Sequence, residues 1–131
     1  MSLDVPTPVL EAAERGELDD ARFVAVVRDS LPYAWSVVAA AVGDRLDRPD
    51  APFGEHAVPP PSERERGQLL RALASDAIRA ALERHFGVRL AFQNCHRVAA
   101  FAPGDVGGPA HRAFTSPRGQ VLNQSPELRD C

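Results

Sequence analysis

Residues 62 to 101 constrain the fold more than any other stretch, because a capped amphipathic helix there runs into an alternating pair of strands. Ser62-Glu63-Arg64-Glu65 has the form of a capping box. In that motif the serine hydroxyl serves an orphan amide and the glutamate reaches back. Leu70, Leu73, Ala74, Ala77, Ile78 and Ala81 follow at helical spacing and predict a single buried face. Asp76, Arg79 and Glu83 fall on the other side, and Gly87 supplies a left-handed stop. Val88, Leu90 and Phe92 then alternate as one face of a strand. Arg97–Phe101 can return beside it, leaving Gln93-Asn94-Cys95-His96 as the turn.

Upstream, Thr7-Pro8 and Gly16 bracket a short helix over about 8–15, and Asp19 or Asp20 can cap a second. Phe23, Val24, Val26 and Val27 give that second helix an apolar stripe. Ser30-Leu31-Pro32 interrupts it, since proline inside a helix loses a backbone bond and clashes with the preceding turn. A third helix capped by Ser30 carries Trp35, Val38 and Val42 inward and ends near Arg45. Five prolines between Asp47 and Pro61 predict a surface connector of polyproline II character, with Phe53 exposed in it. Downstream, Ala102–Pro109 reads as a Gly/Pro loop, His111–Phe114 as a helical turn, and Ser116-Pro117 as the start of a final helix.

These readings assemble into one α+β domain over 1–131, dominated by helices. Four or five of them pack on a small antiparallel β-hairpin, with a proline-rich loop at about 47–61 and a polar C-terminal tail at about 124–131. A hairpin cannot stand alone, so Val88, Leu90 and Phe92 are expected to lie against the long helix. At 131 residues the chain can bury a core without staples.

Charge limits the partners. All fifteen basic residues are arginine, and the chain carries −3 overall. Residues 1–61 hold five Arg against eleven acids, and 62–131 hold ten against seven. Acids are interleaved with the arginines throughout, which disfavours nucleic acid. The longest apolar run, Val37–Val42, is far too short for a membrane span. Two cysteines without an export signal point to a cytoplasmic protein with free thiols.

Candidate chemistry is sparse. Cys95 beside His96 is the first place to seek a nucleophile, with His111 as another assisting base. Cys95, His96, His111 and Cys131 are the metal-ligand candidates, of types that suit zinc. Their spacing matches no C-x2-C or H-x3-H pattern, and no cofactor is expected. Gly104–Gly108 lacks the Lys-Ser/Thr ending of a phosphate loop. Arg89, Gln93 and Arg97 are candidate ligand-binding groups where helices meet hairpin.

Three stretches carry a resemblance. Residues 67–79, 85–98 and 121–131, the last ending Asn-Gln-Ser-Pro-Glu-Leu-Arg-Asp-Cys, are similar to a family of short proteins from actinobacterial, Streptomyces-type genomes. The resemblance spans most of the chain and implies a bacterial cytoplasmic origin. That family brings no assigned activity, cofactor or catalytic residue. The expectation is therefore an accessory or regulatory protein acting on another protein or on itself as a homodimer, rather than an enzyme. A thiol- or metal-centred site around Cys95 and a small-molecule-binding regulator are the alternatives.

Overall fold

The computed structural model describes residues 2–94 and 96–123. Among these residues, seven α-helices and a three-stranded antiparallel sheet make a helix-dominated α+β architecture. In chain order these are α1 Thr7–Glu14, α2 Asp20–Ser30, α3 Pro32–Asp47, β1 Gly54–His56, α4 Glu63–Ala74, α5 Asp76–Phe86, β2 Arg89–Gln93, β3 Arg97–Phe101, α6 Pro109–Thr115 and α7 Pro117–Leu122. The sheet order is β1-β3-β2.

The expected hairpin is present as β2 and β3, with Leu90 opposite Ala100 and Phe92 opposite Val98. Val88, Leu90 and Phe92 join the main core, together with residues of α2 to α5. The third strand was not expected. It comes from the proline-rich stretch, where Gly54, Glu55 and His56 pair with Ala100, Ala99 and Val98. This makes β3 the central strand, and Val98 to Phe101 are all buried. A strand covered on both faces reads as a continuous apolar run, which is why alanines suffice there. Val98 and Ala100 face the helical core, while Ala99 and Phe101 face a second, smaller core with Ala91 and Phe114.

The single long helix expected from 62 to 86 is two helices. Ser75 leaves the helical conformation and its hydroxyl accepts from Ile78 N at 3.3 Å, so it caps α5. The break re-phases the buried face. Leu69, Ala72 and Leu73 are inward in α4, and Ile78, Ala81 and Leu82 in α5. Ala74 and Ala77, placed on the buried face by an unbroken period, are exposed. With this split, and with α6 a real helix rather than a turn, the number of helices exceeds the four or five expected.

Two helix starts also differ. Ser30 does not cap α3; its hydroxyl accepts from Asp4 N at 2.9 Å. The buried Gln68 of α4 accepts from Tyr33 N at 2.8 Å and satisfies that amide instead. Helix α1 begins one residue before Pro8, without a side-chain cap. The Ser62 cap forms as expected, its hydroxyl accepting from Glu65 N. The Glu65 carboxylate that reaches back accepts from that hydroxyl rather than from the Ser62 amide. The left-handed Gly87 cap forms too.

Both sheet edges are closed by side chains. Glu83 accepts from Leu90 N at 2.8 Å, and Gln120 donates to Phe92 O at 3.2 Å, along β2. Asp44 accepts from Glu55 N at 2.8 Å along β1. The hairpin edge is therefore not an open strand for docking. Blocked edges of this kind oppose strand addition and aggregation.

Asp44 also pairs with Arg48. The Arg48 guanidinium, and then the Glu55 amide, hold its carboxyl at about 2, below the usual aspartate value of about 3.9. A depressed carboxyl stabilises the fold at pH values above its unfolded value and loses that contribution as the pH falls toward 2. Urea midpoints measured stepwise down from about pH 5 should fall more steeply for the wild type than for Asp44→Asn. Parallel curves would mean that the pair adds nothing to folding.

Candidate functional site

The most developed surface feature lies on the sheet face turned away from the main core. Three strands each contribute one polar residue there: Glu55 from β1, Arg97 from β3 and Gln93 from β2. Arg97 Nε is 2.8 Å from a Glu55 carboxylate oxygen, and Arg97 Nη1 donates to Gln93 Oε1 at 2.7 Å. Gln93 is 1% exposed, and its Nε2 donates to Phe114 O at 2.8 Å. The Arg97 guanidinium lies 5.2 Å from the centroid of the Phe114 ring. The Gln93 amide thus donates once and accepts once, the partners that a buried amide seeks.

Helices α6 and α7 roof this network. Phe114 packs against Phe53 and Phe101, with ring centroids 5.4 and 5.9 Å away. Ser116 ends α6 and caps α7, accepting from Gly119 N at 3.0 Å. A Cβ at Gly119 would fall 2.4 Å from Ala113 O, so only glycine lets the two short helices meet this closely. Asn94, at φ 56°, donates from its side chain to Asn123 O and ties the hairpin turn to the end of α7.

Between roof and sheet lies an open recess of about 330 Å³. Phe53 and Phe114 supply its aromatic wall, Gln93 and Arg97 its polar base, and Arg118 and Leu122 part of its α7 side. Among the described residues, no carboxylate lines it. Arg97 has Glu55 as its counter-charge, whereas Arg118 has no salt-bridge partner among the described residues.

The structure brings together two of the three expected ligand-binding residues, Gln93 and Arg97. Arg89 lies elsewhere, paired with Glu83 at 3.1 Å beside Gly87 and Pro103. Phe53, expected to be exposed, is half-buried against Phe101 at 4.9 Å. Sequence reasoning missed Arg118 and Phe114 as neighbours of Gln93 because twenty or more residues separate them along the chain. Ser116-Pro117, a cap before a proline, was the one local signal of the turn that delivers them.

The thiol and metal candidates fare differently. Cys95 and Cys131 lie outside the described residues. His96 is 6% exposed, at the hairpin turn. His111 Nδ1 accepts from Gly107 N at 3.2 Å, and its ring meets Phe101 edge-on at 5.0 Å. His111 thereby helps close the loop that precedes α6. Among the described residues, no group of three or more His, Cys, Asp or Glu side chains is arranged to hold a metal. Likewise, among them no helix is long and apolar enough to cross a membrane.

No curated protein and no solved structure matches the chain. A family described as "NucS shadow ORF" matches it over residues 1–131. The chain belongs to that NucS shadow ORF family.

Proposed function

We propose that this chain is a translated accessory protein that acts by binding another protein through α7 and the recess beside it. The supporting observation is on α7, where Val121 and Leu122 are 69% and 63% exposed. The same short helix is pinned to the sheet by Gln120, which donates to Phe92 O and Phe114 O. Apolar side chains held outward on a fixed element favour association, because little ordering entropy remains to be lost on binding. An actinobacterial source and a cytoplasmic setting belong to the same proposal; the first accords with arginine as the sole basic residue.

The family's description favours a second reading. A shadow ORF is a reading frame laid over another gene's coding sequence, here that of NucS, and such a frame need not be translated at all. On that reading the chain has no partner, and the name transfers none of NucS's role to it. The accessory reading draws its support from agreement between local chemistry and the whole fold. Asp19, Ser62, Ser75 and Ser116 each cap a helix. Gly87 occupies a left-handed stop, and the buried Gln93 amide both donates and accepts a hydrogen bond. Consistency across levels of this kind is the mark of a sequence selected to fold.

Targeted mass spectrometry separates the two. Trypsin should release the peptide Val98–Arg112 from cells that carry the frame. Detection of it supports a translated protein. Its absence where peptides of the overlapping NucS gene are detected would overturn the accessory reading. Where the protein is made, Leu122→Asp should abolish co-purification of the partner that the wild type recovers.

A further inference from the structure

We infer that the recess selects a partner segment presenting one carboxylate beside a large apolar side chain. This rests on the accessory reading above and names the chemistry of that partner. Charge supplies the first argument. Among the described residues, the recess has two arginines and no acid in its lining, in a chain whose net charge is −3. Glu55 already answers Arg97 at 2.8 Å, which leaves Arg118, without a salt-bridge partner among the described residues, as the surplus cation. A single carboxylate restores neutrality; two would exceed it.

Shape supplies the second argument. Phe53 and Phe114 offer aromatic surface, and Leu122 and Ala113 extend it. The polar groups at the base are committed internally, Gln93 to Phe114 O and Arg97, and Ser116 to Ala113 O and Gly119 N. A purely polar ligand would therefore find few partners beyond Arg118. The volume of about 330 Å³ accommodates a side chain or two rather than a helix. An acidic residue next to an aromatic or long aliphatic one fits both the charge and the space. Arginine suits this task because its fork meets a carboxylate bidentately.

The test uses the purified full chain and two synthetic probes, acetyl-Glu-Phe-amide and acetyl-Gln-Phe-amide, followed by two-dimensional NMR. The Glu probe should shift the Ala113 and Gly119 amides and the Gln93 side-chain amide, and should bind about threefold tighter than the Gln probe, the scale of an exposed ion pair. Arg118→Gln should erase that preference while leaving the rest of the spectrum in place, since Arg118 is exposed. Equal binding of the two probes, shifts confined to other surfaces, or a preference that survives Arg118→Gln would each overturn the assignment. The titration does not depend on expression in the cell. A missing Val98–Arg112 peptide therefore defeats the accessory reading, whereas a failed titration defeats only the assignment of the recess.

Discussion

Gly54→Ala is expected to destabilise the protein by about 3 kcal/mol, at the upper end of overpacking effects. Gly54 opens β1 against the side of α3. A Cβ built there would lie 2.3 Å from both Ala41 O and Arg45 N, and 2.5 Å from Arg45 Cβ. These are atoms of the helix itself, so no side chain can swing aside to make room. Relief requires β1 to move off α3, and β1 is also tied to that helix by the Glu55 amide on Asp44. The control is Gly43→Ala in the middle of α3, where an added Cβ meets nothing within 4 Å. That change should be neutral or stabilising by up to about 1 kcal/mol, because alanine is the better helix former. Urea denaturation of the two variants decides the matter. Equal stabilities would mean that β1 is not packed on α3.

Phe101→Ala should cost about 3–5 kcal/mol, the usual range for emptying a buried aromatic site. Phe101 is fully buried at the end of β3 and is the hub of the second core. Its ring meets Phe53 at 4.9 Å, His111 at 5.0 Å and Phe114 at 5.9 Å. Removal of that ring takes the support from beneath α6 more than from the α3–α4–α5 side, which has its own cluster of Leu, Val and Ile. Hydrogen exchange should therefore accelerate in α6 and α7 before it does in α3. Uniform acceleration would show that the two cores unfold as one unit.

How much of this was legible in advance depended on where the cause of each feature lies. The Ser62 cap and the stop at Gly87 involve groups within four residues of one another, and both formed as expected. So did the inward face of Val88, Leu90 and Phe92, because a period of two is a local property. The Ser75 break was written in the chain as a serine followed by an acidic first turn. It was masked there by apolar residues that continue at nearly helical spacing on both sides.

Other features had no local cause to read. Gly54, Glu55 and His56 form a strand because β3 offers them backbone partners and α3 leaves room only for a glycine. Tyr33 N is satisfied by Gln68, thirty-five residues away, so the choice of Ser30 as a cap failed against a partner supplied by packing.

By itself, then, the sequence determined the helix boundaries set by nearby caps, the β2–β3 hairpin with its inward face, and the helix-dominated α+β class. Short-range hydrogen bonding and hydrophobic period are encoded within a few residues. Only the tertiary structure decided that the sheet has a third strand and two cores, that its edges are closed by Asp44, Glu83 and Gln120, and that Phe53, Gln93, Arg97, Phe114 and Arg118 share one recess. Each of these depends on groups far apart in the chain meeting in space, and no local pattern specifies which distant residues will be neighbours once both faces of β3 are buried.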